Sequence, residues 1–329
     1  MHSRSVKDLT FRYGRLKQRA ILALHLKIAA LVPALLASGA TAPVAAPRRP
    51  EPLELRFPIS SKSAEGSWLL GLDEGPLSKR VLDVSARFLG TPYIHSPLGE
   101  GTGVDPDPIM RFDAVDCLTF VEETLALSIA HSPTEVAPLL LQLRYAHTPT
   151  YEDRNHLMEA EWLPNNVRKG FLRDITRAIG GAATVRARLV ITPRSWNSPS
   201  SRLLELPRAR QITGAFELEM LPLRTALALS RQFPPGAILL VVREEHPWKV
   251  TRITHLGFVV QKSGRAFLRH AARSRYRRVV DEDLAEFLAR NATYARWRVA
   301  GIALYEPRVP ELAPADLAAS AAVSHIGPP

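Results

Sequence analysis

The sequence of 329 residues contains a single cysteine, Cys117. One thiol excludes an intramolecular disulfide framework and any cysteine-rich zinc site. The ten histidines include no H-E-x-x-H pair. His156 and Glu159 form an isolated H-x-x-E that reads as a surface coincidence. There is no G-x-x-x-x-G-K-[ST], no G-x-G-x-x-G after a strand and no G-x-S-x-G. Nucleotide, dinucleotide and serine-hydrolase chemistry therefore have no support. Internal repeats are absent. Acidic residues are in deficit, 32 against 43 Lys and Arg, for a net charge of +11. Residues 1–40 hold seven bases and one acid, Asp8, so they account for +6 of that charge. The +5 left is ordinary for this size and gives no case for nucleic acid.

What is present suits a globular protein of one or two domains: 46% hydrophobic and 23% charged residues. After the basic start, "IAALVPALLASGATAPVAA" (Ile28 to Ala46) is uncharged and bounded by Lys27 and Arg48. A basic region, an apolar core and small residues describe a secretory signal, with Ser38 and Ala40 at the small-residue positions of a cleavage after Ala40. The stretch is also nearly long enough for an uncleaved anchor, and a cytoplasmic protein is the third reading. Residues 1–40 are assigned to the signal peptide or anchor and 41–64 to a proline-rich linker. Residues 65–308 form the folded domain, and 309–329 an Ala/Pro-rich tail expected to be disordered.

The lone cysteine lies in "RFDAVDCLTFVEETLALSIA" (Arg111 to Ala130). Leu118, Val121, Leu125 and Ile129 recur at helical spacing, which predicts an amphipathic helix with Asp116 at its N-cap and Cys117 in its first turn. Free N–H groups and the helix dipole favour a thiolate there. A small buried residue that only packs fits the same position.

A nucleophilic thiol needs a base, and the base needs something to orient it. "PPGAILLVVREE" (Pro234 to Glu245) reads as a buried strand. "ITHLGFVVQKSGRAFLRHAAR" reads as a β-hairpin turning at Lys262-Ser263-Gly264. His255 and His270 fall on one face of it, directly opposite or one diagonal step apart. His270 is then placed to hold Nδ1 of His255. Two unrelated strand histidines are the alternative.

"FLGTPYIHSPLGEG" (Phe88 to Gly101), "DAVDCLTFVEETLAL", "ITHLGFVV" and "FLRHAA" occur here in the order used by NlpC-like cell-wall cysteine peptidases, which the chain resembles. The fuller agreement is with their N-acetylmuramoyl-L-alanine amidase-like branch, which has a segment similar to "EDRNHLMEAEWLPNNVRKGFLRDIT" (Glu152 to Thr176). The resemblance spans residues 78–305. It implies an α+β, papain-like fold in which N-terminal helices pack on an antiparallel sheet. It assigns Cys117 as nucleophile, His255 as general base and His270 as the residue orienting that base. Tyr93 matches the tyrosine that faces the cysteine. Asp116 matches an aspartate that can hold a substrate amine in peptide-cleaving relatives and is read here as a helix cap. Asn155, His156, Trp162 and Asn166 are expected to shape a glycan-side pocket, with plain loop packing as the alternative.

The resemblance further implies no cofactor or metal, a peptidoglycan or muropeptide partner, no nucleic acid, a monomer, and a periplasmic or cell-envelope location. Membrane attachment follows only if the N-terminal segment stays uncleaved. The expected reaction is hydrolysis of the amide between N-acetylmuramic acid and L-alanine. A stem-peptide endopeptidase, a non-catalytic wall-binding module and a cytoplasmic binder of anionic polymers are the alternatives.

Helices are expected at about 77–89, 116–131, 134–145, 222–232 and 281–290, and strands near 237–243, 253–260, 266–271 and 299–305. Between Val185 and Pro222 only a strand near "FELEML" is assigned. Arginines 265, 269, 273, 275, 277 and 278, with no acid between them, read as a solvated face or as a patch for peptide carboxylates or anionic glycan.

Overall fold

The computed structural model describes residues 75–311. The export segment, the whole linker, residues 65–74 of the expected domain and all but the start of the tail lie outside the described residues. No helix among the described residues is long and apolar enough to cross a membrane. The principal helices are α1 (Leu77–Arg87), α2 (Cys117–Ile129), α3 (Pro133–Arg144), α4 (Leu163–Arg168), α5 (Leu223–Leu229) and α6 (Leu284–Ala292). The strands are β1 (Leu172–Asp174), β2 (Val185–Ile191), β3 (Gly214–Pro222), β4 (Ile238–Arg243), β5 (Ile253–Lys262), β6 (Arg265–Ala272), β7 (Arg278–Asp283) and β8 (Val299–Pro307).

These strands make one antiparallel sheet in the order β2-β3-β8-β4-β5-β6-β7, with β1 also on β8. The class is α+β. Strand β4, "ILLVVR", lies between β5 and β8 and has apolar cover on both faces, which is why its sequence runs apolar without alternation. Leu240 and Val242 face a core shared with Phe120, Leu125 and Val84 of α2 and α1. Leu239 and Val241 face Phe287, Leu288 and Ala226 of α6 and α5.

Helix α2 departs from the amphipathic expectation. Every residue from Thr119 to Ile129 is buried, because α1, α3 and β5 surround it. Its two carboxylates are buried too. Glu122 accepts from Trp162 Nε1 (2.9 Å) and pairs with Arg144 Nε (3.2 Å). Glu123 accepts from the Arg111 N–H (2.9 Å). What read as a polar face is an internal ionic cluster.

Two further corrections concern the C-terminal half. The expected helix at 281–290 begins only at Leu284, because residues 278–283 are strand β7. The region from Val185 to Pro222 contains the hairpin of β2 and β3, not only the second strand. The arginine run is not one solvated face either. Arg269 is buried, pairs with Asp281 and donates to the Leu82 carbonyl of α1. Arg265 pairs with Asp283, and Arg275 lies 3.5 Å from Glu282. The acids that match these arginines stand across the ladder on β7 and its junction with α6, not beside them in sequence.

Candidate active site

Cys117 is the first residue of α2, and Asp116 before it builds the cap. Asp116 Oδ1 accepts from the N–H groups of Leu118 (3.0 Å) and Thr119 (2.9 Å), while Thr119 Oγ1 accepts from the Asp116 N–H (2.9 Å). Asp116 Oδ2 takes the Ser96 N–H (3.1 Å). Both carboxylate oxygens are thus engaged by backbone, as the helix-cap reading expects.

The loop carrying Tyr93 is tied to the same place. Tyr93 donates its N–H to the Arg277 carbonyl, Ile94 donates to Val115, and Val115 donates to Pro92. Residues 92–94 therefore bridge the edge of β7 and the segment that leads into Cys117. The Tyr93 hydroxyl is held above its ordinary pKa, first by burial and then by Cys117 and Asp116, so it stays protonated and able to donate.

The other half of the site is the β5–β6 hairpin. Its pairing runs from Lys262–Arg265 to Phe258–Arg269 and goes no further. Along β5 the backbone alternates sides. Val259 bonds toward β4 through Ala237, so the Leu256 N–H points toward β6, where the ladder has ended. The Leu256 backbone lies close enough to the Cys117 thiol to favour its charged form, as do the backbones of Cys117 and Leu118. Leu256 packs in the α2 core, so its neighbour His255 projects from the strand to the other face of the sheet.

The two histidines share the face opposite the α2 core and flank Phe287, at ring distances of 6.0 Å for His255 and 5.4 Å for His270. His255 Nε2 lies 2.6 Å from His270 Nδ1, with the rings nearly perpendicular. The relation is the diagonal one, and it uses Nε2 of His255, not the Nδ1 expected from sequence.

Electrostatics change the expected resting state. Burial pushes the Cys117 thiol up to about 12, Asp116 adds to the rise, and the backbone hydrogen bonds only partly oppose it. His255 is held well below its ordinary value by burial, then by His270, Arg290 and Arg243. The resting pair is a neutral thiol and a neutral imidazole, not the thiolate that the helix start alone predicts.

The residues expected to shape a pocket all make framework contacts. Trp162 is fully buried on Glu122. Asn166, also fully buried, donates to the carbonyls of Leu143 and Trp162. Asn155 donates to the Leu143 carbonyl and accepts from Asn165 (2.5 Å). His156 Nε2 meets the Tyr151 carbonyl at 2.6 Å, and burial lowers its pKa to about 4.

Two residues of consequence were not singled out from sequence. Glu159, expected at the surface, is buried and accepts from Thr251 Oγ1 (2.6 Å) and the N–H groups of Arg252 (2.6 Å) and Ile253 (2.9 Å). It clamps the start of β5 just upstream of His255. Glu282 of β7 is buried with Oε2 3.2 Å from His270 Nε2. Neighbouring acids and a misplaced helix boundary hid it.

A family profile described as AmiA-like, N-acetylmuramoyl-L-alanine amidase-like, matches residues 83–294. The chain belongs to this family. The matched stretch runs from α1 through α6 and contains Cys117, His255, His270 and Glu282. Among solved structures, a Legionella pneumophila protein of the DUF1460 family is 26% identical, with a TM-score of 0.66 over 76% of this chain and 96% of that one. An N-acetylmuramoyl-L-alanine amidase from Bacteroides uniformis is 24% identical, with a TM-score of 0.56 over 71% of this chain and 100% of that one. A putative xylanase from Bacteroides fragilis aligns at 22% identity and a TM-score of 0.54, over 68% and 99% of the two chains. The last two share the fold at identities too low to carry more. No curated protein matches the chain.

Proposed function

We propose that this AmiA-like family member is an exported cysteine hydrolase of papain-like, NlpC-type architecture. It cleaves the amide between the lactyl group of N-acetylmuramic acid and L-alanine in peptidoglycan or released muropeptides. The observation that carries the reading is the 2.6 Å contact of His255 Nε2 with His270 Nδ1, one residue along β5 from the Leu256 backbone that lies near the Cys117 thiol. Membership of the amidase-like family supports the substrate class.

The chemistry follows from the protonation states. As Cys117 Sγ attacks the lactyl carbonyl, its proton passes to His255, and the new S–C bond forms with no free thiolate beforehand. Negative charge gathers on the former carbonyl oxygen. The Cys117 N–H, without a helical partner at the helix start, and the Tyr93 hydroxyl are the donors for it. His255 returns the proton to the L-alanine nitrogen, the C–N bond breaks, and the lactyl thioester remains. Water deprotonated by His255 then attacks the thioester, releasing the acid and restoring the thiol. Asp116 holds the helix start and Glu159 holds the start of β5.

Mass spectrometry of muropeptides after incubation tests this directly. Free stem peptide is expected, with activity lost on thiol alkylation and kept in EDTA. A trimmed stem would make the protein an endopeptidase, and unchanged muropeptides a binding module. Loss in EDTA with rescue by zinc would end the cysteine reading.

A further inference from the structure

We propose that Arg194, Trp248, Lys249 and Trp297 form a binding surface for stem-free glycan. Pyranose rings pack on the indoles, and the lactyl carboxylates of muramic acid meet the cations. The proposal rests on the amidase reading above, whose reaction creates that carboxylate, and adds a site for the glycan product beyond the residues that do the chemistry.

Three connections meet to build the surface: the turn after β2, the β4–β5 connection and the α6–β8 connection. Trp297 Nε1 donates to the Glu244 carbonyl (2.8 Å), and the Glu244 N–H donates to the Arg298 carbonyl (2.9 Å). Ser195 Oγ donates to the Pro247 carbonyl (3.1 Å), which ties the turn after β2 to the same place. The aromatic side chains therefore sit on segments already held by hydrogen bonds.

Arg194 lies over the Trp248 ring at 4.2 Å, and Lys249 Nζ over the Trp297 ring at 5.3 Å. The Trp248 N–H meets His246 Nδ1 (3.3 Å), and the His246 ring stands edge-on to Trp297 at 6.4 Å. The two indoles thus belong to one surface. Trp248 is 38% exposed, and Tyr294, with Arg243 over it at 4.9 Å, is 39% exposed. Arg243 also lies 5.9 Å from Trp297, which makes the row continuous.

The cations on these rings lack acids. A guanidinium stacked on an indole commits its flat face and keeps its in-plane N–H fork for a carboxylate. Among the described residues Arg194 has no ion pair and no side-chain hydrogen bond, and Lys249 Nζ reaches only Ser200 Oγ (3.3 Å) besides its ring. Elsewhere exposed arginines find acids, as Arg177 finds Glu219 and Arg186 finds Glu217. The acids of the β4–β5 connection, Glu244 and Glu245, lie near the Arg252 guanidinium, and Glu245 also takes the Val190 N–H (3.3 Å).

Flat apolar rings beside unmatched positive charge select the ligand. A pyranose offers a face of C–H groups to an exposed indole, and muramic acid freed of its peptide carries a carboxylate on the same ring. That sugar recurs along a glycan strand, so ring and charge recur together. A lipid surface is the competing partner for aromatic and basic residues. Membrane-seated faces add exposed aliphatic side chains, and none of the exposed Leu, Ile and Val side chains belongs to this surface. Arg243 Nε donates to Thr254 Oγ1 (3.0 Å), so the surface begins one residue from His255. A strand held here stays with the protein after its stem has left.

Titration of the full-length protein with stem-free oligosaccharides of alternating N-acetylglucosamine and N-acetylmuramic acid tests the assignment, read by tryptophan fluorescence and calorimetry. Binding should weaken about tenfold or more in Trp248→Ala and in Arg194→Gln. Methyl esters of the same oligosaccharides should bind the parent about tenfold more weakly and lose most of the difference between parent and Arg194→Gln. Both variants should hydrolyse a single muropeptide at the parental rate, since neither residue touches the reacting atoms. Unweakened binding in both variants, or equal binding of acid and ester, would overturn the proposal. So would an absence of binding at millimolar oligosaccharide. Binding to phosphatidylglycerol vesicles but not to the oligosaccharides would make the surface a membrane contact and overturn it as well. Should the protein trim stems instead of freeing them, the amidase reading fails while these titrations still judge the surface.

Discussion

Gly257 and His270 approach so closely across the β5–β6 hairpin that a Cβ on the glycine would lie 2.7 Å from the His270 Cβ and 2.5 Å from the Arg269 carbonyl oxygen. This closeness lets the His270 ring pass under its diagonal neighbour His255. Gly257→Ala must therefore push β6 away from the imidazole. Overpacking of this kind costs about 1–3 kcal/mol, to be read from urea denaturation. The lost His255–His270 contact should cost activity beyond what the unfolded fraction explains, in single-turnover assays below the transition. Full specific activity in the folded variant would mean the contact is dispensable.

The two histidines should fail differently. In the proposed mechanism His255 performs the proton transfers, so His255→Ala is expected to fall to the Cys117→Ala background, a loss on the order of 100- to 10,000-fold. His270→Asn keeps a polar partner for Nε2 and should retain measurable turnover, whereas His270→Leu should lose much more. Single-turnover rates on one muropeptide order the set. Near wild-type rates in His255→Ala with a dead His270→Asn would reverse the roles.

Because the Cys117 thiol is pushed up to about 12, its alkylation by iodoacetamide should rise about tenfold per pH unit from near neutral to about pH 10, without a plateau. Asp116 contributes to that rise, so Asp116→Asn, which keeps an oxygen for the cap, should alkylate faster at every pH. Asp116→Ala should in addition lose about 1 kcal/mol of stability with the cap. Mass-spectrometric alkylation kinetics supply the measurement. A plateau through the neutral range would reveal a preformed thiolate–imidazolium pair.

Acid should destabilise the fold through its buried histidines. His156 has its pKa lowered to about 4, and His255 is shifted in the same direction. As pH falls below about 6.5, the unfolded chain takes protons that these rings refuse, so stability is intact above that pH and declines toward pH 4. His156→Gln keeps a donor for the Tyr151 carbonyl and cannot titrate. Its urea midpoint should fall less steeply between pH 6.5 and 4 than that of the parent. Equal slopes would show that His156 is not held neutral.

The sequence made the hairpin legible because parity is rigid: any even loop puts positions 255 and 270 on one face. Cys117 was legible for a similar reason, since Asp116 announces a helix start. Which ring nitrogen meets which was not legible, because that depends on how far each side chain leans along its strand. Helix α2 misled because its stripe accounts for one contact surface, whereas α1, α3 and β5 supply three, and Glu122 and Glu123 look like solvent residues until Arg144 and Trp162 are placed. The triplet Asp281-Glu282-Asp283 shows the limit most clearly. Asp281 pairs with Arg269 on one face of the sheet, Glu282 meets His270 on the other, and Asp283 caps α6 through the Glu286 N–H. Strand alternation and a helix boundary separate the three, and neither is visible in a run of acids. Strand β2 was missed although Ala187, Leu189 and Ile191 alternate with exposed or half-exposed residues. Its arginines and its place at the sheet edge disguised the period.

The Cys117 thiol and the Leu256 backbone beside it belong to segments separated by much of the folded chain, and the Tyr93 loop closes on both Val115 and Arg277. Neither helix start nor hairpin holds a competent arrangement alone. These segments come together only after the slow, long-range closures of folding are complete. On the proposed mechanism a nascent or partly folded chain would therefore be inactive.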